Sequence, residues 1–517
     1  MSEIASQYDD LKKVRDPYLD RARNAARITI PFLVPEDGFS GSESAKTPYQ
    51  SFGAHAVRTL ASKLLLALLP PNTPFFRFSL NKTKLTDEGV DMQAIGGEID
   101  RALISLEQSI MTEVEASKTR LALESAMQHL IVAGNSLLYV PRKGSVRWFR
   151  LTNYVIARDP SGNPTTIITH EVADKRTLAV DIQALLEESV INDASKQKNE
   201  VDIYTRAELQ PSGKWVIQQE IGGEIIARLT HIVKAEHNPF IPLRFNSLDS
   251  EDYGRGLVEE YFGTLNTIES LARLLNEGSI AMATTKIVID KASSIRPSVL
   301  ARTGNLGIIS GNVQGGIAQD VGIIELQKQR DFSFVAQYLD TLKREISDAF
   351  LVYQARQAER VTAEEVRQVA QELEAVLGGV YSILANEFQL PLLKLLMERM
   401  TKAGELPAEF AALPRDLVTP MITAGLDALG RNSDFNKLIQ LQQVMTPQEL
   451  QYLNSEELLK RKLAYLGIPN EGLTKSQEQL QAEQQAMQQA AQQEQMMRLA
   501  EKAAPAVSKG LVKGPTE

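Results

Sequence analysis

Five histidines, at positions 55, 129, 170, 231 and 237, are the first residues that could carry acid–base or metal chemistry. None falls in an HExxH pattern or stands beside another at ligand spacing, so no metal site is expected. His129 lies in a helical pattern and reads as a packed or capped core residue. Cysteine is absent, which removes disulfides, thiolate nucleophiles and cysteine-ligated zinc together. There is no GxxxxGK[ST] phosphate loop and no GxSxG nucleophile turn. The stretch "YGRG" at 253–256 resembles half of a glycine fingerprint, but it opens no βαβ unit and reads as a tight turn before a helix. The acidic pairs Glu259-Glu260 and Glu364-Glu365 fall in first helical turns, where carboxylates favour the helix dipole. No catalytic constellation survives, so neither an enzyme nor a bound cofactor is expected.

Arginines in two settings could meet an anion. "VRWFRL" sets Arg147 and Arg150 around Trp148, as base-stacking strands do, though an ordinary alternating strand has the same pattern. "AFLVYQARQAERVTAEEVRQVAQELE", residues 349–374, carries Arg356 and Arg360 in a polar segment between an apolar stretch and a new helix. Thr362 and Glu365 have capping-box spacing, and Val361 and Val366 are placed for a hydrophobic staple. The helix start is therefore locally fixed while the arginine-bearing segment before it has no apolar anchor. Arginines in such a segment are usually solvated or salt-bridged, and that reading stands beside an anion-binding one.

The elements around these residues change character along the chain. Up to residue 256 helix and strand alternate: a helix over "YQSFGAHAVRTLASKLLLALLPP" stopped by Pro70 and Pro71, a strand "FFRFSL", and a helical region over about 93–134 ending at Gly134-Asn135. Short strands follow at "SLLYV", "VRWFRL", "YVIAR" and "TTIITHEV", with a turn at "DPSGNP", and then a meander turning at Pro211–Gly213 and Gly222-Gly223. From 257 a long helix with apolar residues along one side leads into a glycine-rich unit, 285–331, holding "KIVID", "GIIS" and "VGIIEL". A second helix is expected at about 332–350, and a long one at about 362–389 with a bend at Gly378-Gly379. Residues 391–470 read as mostly helical. The tail from 476 is rich in Gln and Ala without an apolar stripe, which suits a loose extension or a polar helix.

The chain has 517 residues, 43% hydrophobic and 23% charged, with a net charge of −9. A protein that grips nucleic acid is usually basic, so the balance disfavours a clamp while leaving room for a local basic ring. The longest apolar run, "LLLALL" at 64–69, is far short of the roughly 20 residues needed to span a bilayer. The N-terminal stretch is polar and mixed in charge, unlike a secretory signal.

In this order, "RITIPFLVPEDG" (27–38), "LASKLLLALLP" (60–70), "LIVAGNSLLYVP" (130–141), "YVIARDPSGN" (154–163), "YGRGLVEEYFGTL" (253–265) and "ERVTAEEVRQVAQELEAVLGGVYSILANEFQLPLL" (359–393) resemble the landmark stretches of the portal, or head-to-tail connector, family of short-tailed bacteriophages. The resemblance covers roughly residues 10–470. It implies an α+β, mainly helical portal fold, assembled as a ring of about twelve copies around a channel. It further implies a wing over 1–256, stem helices over 257–284 and 332–349, and a clip over 285–331. A tunnel loop would follow over 350–361, then a long wing helix over 362–400, a helical crown over 401–475 and a flexible tail over 476–517. Candidate channel residues are then Gln354, Arg356, Gln357 and Arg360 in the loop and Lys343 and Arg344 on the second stem helix, with Thr362 and Glu365 capping the next helix. Implied partners are other copies of the chain, double-stranded DNA passing without sequence readout, the terminase large subunit, major capsid and scaffolding proteins, a tail adaptor and internal core proteins, with no membrane. The implied location is the unique capsid vertex of the virion, and the host cytoplasm during assembly. A structural helical oligomer without a DNA channel is the alternative.

Overall fold

Helix α1 (Glu3–Arg27) begins the chain and buries Ile4 and Tyr8 against Val155 and Ile168 of the sheet that follows. In the computed structural model the described residues are 3–39, 41, 46–71, 74–80, 92–179, 182–183, 200–283, 286–289, 291, 295–302, 313–314, 317–318, 321–324, 329–352, 363–406, 418–422, 439, 441–445 and 458–459. They form an α+β, mainly helical protein. Met1–Leu429 make one compact unit and Gly430–Glu517 a second. Within the second unit the described residues include a short helical stretch in which the Met445 amide donates to the Leu441 carbonyl at 3.0 Å.

Helix α2 (Phe52–Leu68) has its apolar residues Val57, Leu60, Leu64 and Leu68 fully buried. Pro70 and Pro71 supply no amide to continue it. Its end is closed from elsewhere: Gln389 Nε2 donates to the Leu68 carbonyl at 2.6 Å, and Arg120 donates to the carbonyl of Leu69. The helical region expected over 93–134 is two helices, α3 (Met92–Ala116) and α4 (Thr119–Ala133). They part at Lys118, which takes a left-handed φ of 53°. Gly134, at φ 73°, ends α4 as its position in the sequence suggests.

Strand β1 (Phe76–Leu80) is followed by β2 (Asn135–Tyr139), β3 (Arg147–Phe149), β4 (Tyr154–Arg158), β5 (Pro164–Asp174), β6 (Glu200–Leu209), β7 (Lys214–Ile221), β8 (Glu224–Ile225), β9 (His231–Lys234) and β10 (Phe240–Arg244). The antiparallel sheet β4-β5-β6-β7-β8 also carries β9 on β7, and β10-β2-β3 make a smaller sheet. The meander and its turns match the expectation, with β9 as an addition.

After residue 256 come α5 (Leu257–Glu260), α6 (Phe262–Ala283), β11 (Lys286–Ile289), α7 (Pro297–Arg302), β12 (Val313–Gln314), β13 (Ile317–Ala318), β14 (Val321–Ile324) and α8 (Gln329–Ala349). The expected small β unit holds two antiparallel pairs, β11 with β14 and β12 with β13, plus the short helix α7 that composition did not announce. "GIIS" lies outside the described residues.

The expected long helix is interrupted. Helix α9 (Ala363–Leu377) stops at Gly378, which takes φ 54°, and α10 (Gly379–Leu384) leads into a π turn, Ala385–Gln389. Helix α11 (Leu390–Ala403) runs on through Pro391, which sits in its first turn where a missing amide is tolerated.

Residues 391–470, read as mostly helical, also contribute one strand. β15 (Val418–Ile422) returns to pair with β1, Phe76 opposite Ile422 and Leu80 opposite Val418. Val418, Thr419 and Ile422 are β-branched, and Pro420 stands in a two-stranded sheet, where a missing ladder donor is tolerated. The Gln-rich tail lies outside the described residues.

Candidate channel segment and its roots

Helix α8, which packs against α6, leads into the segment the sequence singled out. Their near ends are core: Leu265 and Ile268 on α6 are buried, as are Leu339, Leu342 and Ile346 on α8. Toward the small β unit the two helices come close at Gly278. A β-carbon added there would lie 2.2 Å from the Phe332 ring. This far end is not covered within the subunit. Leu274, Ile280 and Met282 on α6 and Phe334 and Tyr338 on α8 are all exposed, Ile280 at 61% and Phe334 at 70%.

The root of α6 is bolted to the mixed α/β part by backbone contacts that only small residues permit. Asn135 donates from Nδ2 to the Gly254 carbonyl at 2.8 Å, and its Oδ1 accepts the Gly254 amide at 2.7 Å. A β-carbon on Gly134 would lie 2.4 Å from a backbone carbon of Arg255. Tyr253 OH accepts the Ile156 amide at 3.0 Å, and Asp252 accepts the Arg158 amide at 2.8 Å. Thus "AGNS" and "YGRG", distant in sequence, form one joint, and the tight turn read from the sequence is its second half.

The root of α8 is built differently. Phe350 is fully buried and meets Tyr261, at the break between α5 and α6, edge-on with ring centroids 5.8 Å apart. Leu351 then turns left-handed, φ 53°, with only 3% of its surface exposed. The Val352 amide reaches back to the Ser347 carbonyl at 2.8 Å and the Leu351 amide to the Asp348 carbonyl at 3.4 Å. These two bonds are a Schellman closure with leucine where glycine is usual. A left-handed residue with a side chain costs about 1–2 kcal/mol. Burying a leucine contributes about 1.5–3 kcal/mol in the other direction.

Of the residues singled out by sequence, Lys343 is half-buried beside the packed face of α8, and Arg344 is exposed on the opposite side. Asp340, Glu345 and Asp348 share that exposed side with Arg344, so it is acidic overall. Gln354, Arg356, Gln357, Arg360 and Thr362 lie outside the described residues. Helix α9 begins at Ala363, one position after Thr362 in the chain, and Glu365 stands in its first turn.

A charged cluster that the sequence did not indicate ties three segments together. Arg158 on β4 donates to the carbonyls of Asp252 and Gly162, at 3.0 and 2.8 Å. Arg244 on β10, buried, reaches Glu387 of the π turn at 3.4 Å. Burial first, and the neighbouring Arg244 guanidinium second, pull the Arg158 pKa down to about 10. Arg147, Trp148 and Arg150 sit on and beside a real strand, with Trp148 against the His129 ring at 5.4 Å, which favours the ordinary structural reading. Among the described residues no group of three or more His, Cys, Asp or Glu could hold a metal ion. No helix among them is long and apolar enough to cross a membrane.

The family model described as bacteriophage head to tail connecting protein matches residues 1–474. The chain belongs to that family. Its relatives include the portal protein of Escherichia phage T7, 35% identical over 441 residues, covering 84% of this chain and 80% of its own. The portal protein of Enterobacteria phage T3 is 34% identical over 486 residues, 92% of this chain and 88% of its own. That of Enterobacteria phage SP6 is 32% identical over 450 residues, 86% and 83%. This connector therefore has a structural role in a bacteriophage particle, and its two helix roots are parts of a connector subunit.

Proposed function

We propose that this connector closes into a ring of about twelve copies at one capsid vertex, with double-stranded DNA passing through its centre during packaging and ejection. The observation that carries this reading is the set of exposed apolar side chains at the far ends of α6 and α8: Leu274, Ile280, Met282, Phe334 and Tyr338. A head-to-tail contact repeated by rotation can cover such side chains in every subunit at once. In this reading residues 1–256 are the wing, 257–284 and 332–349 the stem and 285–331 the clip. Residues 350–361 are the tunnel loop, 362–400 a wing helix, and 401–475 the crown with the β15 strand within it. The terminase large subunit and later a tail adaptor dock on the clip, and capsid, scaffolding and internal core proteins meet the rest. The particle vertex is its final location, reached from the host cytoplasm. The acidic balance suits passage: each phosphate held by a fixed cation steepens the fall of log K with log salt by about 0.9, so a strongly basic bore would hold DNA. Electron microscopy of the purified protein should show an annulus with a central hole. Filaments or compact oligomers without a hole would favour a helical assembly with no DNA channel. Only monomers and dimers by native mass spectrometry at micromolar concentration would overturn the ring.

A further inference from the structure

Helix α11 is pinned at its flanks and stands off the sheet between them. On one side Arg399 pairs with Glu113 of α3 at 3.0 Å and donates to the Gly144 carbonyl at 2.8 Å. On the other, Glu398 meets His237, just before β10, at 3.3 Å and also pairs with Lys402. These contacts leave a cleft of about 530 Å³ between α11, the β2–β3 turn and the β7–β9 pair, a volume in the range of ligand pockets. Strand alternation turns Ile217 and Gln219 of β7 and His231 and Val233 of β9 toward it. Its apolar wall is incompletely covered: Tyr139, Pro141, Leu229, Val233 and Pro239 are each half-buried. Its acids are mostly engaged. Glu113 and Glu398 are in the pairs above, and only Glu405, exposed, has no ion-pair partner among the described residues. Two of its cations are free. Arg142 and Lys143 in the β2–β3 turn are exposed, and neither pairs with a carboxylate among the described residues. The Tyr139 hydroxyl likewise has no hydrogen-bond partner among them. Burial raises its pKa from 10.0, with Arg147 and Arg142 pulling the other way, so it stays a donor with the Arg142 guanidinium nearby.

We propose that this cleft docks an acidic segment of a partner protein. An apolar side chain of that segment sits between α11 and the β7–β9 pair, and a neighbouring carboxylate accepts from the Tyr139 hydroxyl and lies against Arg142 and Lys143. Charge and surface together choose this class of ligand. A nucleic-acid backbone would meet the two cations, but it would leave the apolar wall uncovered and bring its next phosphates to Glu398 and Glu405. A purely apolar segment would cover the wall and strip water from Arg142 and Lys143 without replacing it. A segment with both features answers both sides of the cleft, and its charge-assisted hydrogen bonds are the stronger kind. The site lies within one subunit, so it stands or falls independently of the ring.

The test uses the purified full chain and a fluorescein-labelled peptide, DEDLFEDE, read by fluorescence polarisation. Saturable binding is expected, with a Kd on the order of 10–100 μM. The peptide DEDSSEDE keeps the charge and KRKLFKRK keeps the apolar pair, and each should bind about tenfold more weakly or worse. Arg142→Glu with Lys143→Glu, at two exposed positions, should weaken DEDLFEDE by about tenfold and leave the thermal midpoint in place. Tyr139→Phe removes only the hydroxyl and should weaken it by about two- to fivefold. Lys214→Glu with Lys234→Glu makes the same change of charge on the same two strands outside the cleft, and should have no effect. No saturable binding at about 1 mM, equal binding of DEDSSEDE, or equal loss from the two charge reversals would overturn the site. Displacement of the peptide by a short DNA duplex at similar affinity would replace the protein partner by nucleic acid. Native mass spectrometry sorts assembled from dissociated samples. Binding by dissociated chains but not by rings would give the cleft to a neighbouring copy and overturn the separate partner, whereas binding with no rings at all would leave the site standing without the ring.

Discussion

At His129 a helix and two backbone segments meet on one fully buried ring. The Leu151 amide donates to Nε2 at 3.3 Å, so Nδ1 carries the proton and donates to the Asn135 carbonyl at 2.6 Å. Burial is the main cause that lowers its pKa from 6.5 to about 4, against the opposing pull of the Asn135 carbonyl. Above pH 6.5 the ring is neutral whether the chain is folded or not, and it contributes nothing to pH dependence. Between 6.5 and 4 the unfolded chain takes a proton that the folded one refuses, so stability falls with pH by an amount on the order of 3 kcal/mol. Below about 4 this group adds no further loss. The thermal midpoint should therefore drop more between pH 7 and pH 4.5 in the wild type than in His129→Gln, and equal drops would show that the ring can be protonated in place. The packed role of His129 was legible from its helical pattern. The Arg158, Arg244 and Glu387 cluster was not, because its members come from three segments that only the fold brings together.

Elements whose stop signals are local were the legible ones. Pro70-Pro71 ended α2, Gly134 ended α4, and Gly378 ended α9. Where the cause is distant, the sequence was silent. β15 becomes a strand because β1, more than three hundred residues earlier, offers it a partner; the end of α8 was expected at about 350, as found, but not the buried left-handed turn at Leu351 that closes it. The α6–α8 pair is read in part: its apolar periodicity was visible, but the close approach at Gly278 needs coordinates. There, Gly278→Ala gains helix propensity of roughly 1 kcal/mol, yet drives a β-carbon into the Phe332 ring. We expect the single substitution to lower the thermal midpoint and Phe332→Ala to lower it as well. The double variant should be more stable than the sum of the two predicts, with a coupling of about 1–2 kcal/mol. Additive effects would mean that the helices move apart freely at this point.

For the whole molecule, the ring reading makes two demands that a subunit alone does not. The first concerns the arginines of the channel segment. If Arg356 and Arg360 meet phosphates as a diffuse ring without reading bases, exchanging both for Gln should leave assembly intact and impair packaging or retention of DNA, most visibly as salt is varied. Wild-type packaging and retention across a range of salt would return both arginines to solvated segment residues. The second concerns the stem. Ile280 and Phe334 are exposed in the subunit, so replacing them with Asp should change its own stability by no more than about 0.5 kcal/mol. In a closed ring the same two positions would be covered in every copy, and Asp there would bury an uncompensated charge at each interface. The Ile280→Asp, Phe334→Asp variant should therefore unfold at nearly the wild-type temperature of the dissociated chain but fail to assemble. Both are read on one sample, by calorimetry after dissociation and by native mass spectrometry before it. Rings of wild-type size from a normally folded double variant would move the subunit contact away from the far ends of α6 and α8. Loss of folding and assembly together would show that these side chains support the subunit itself.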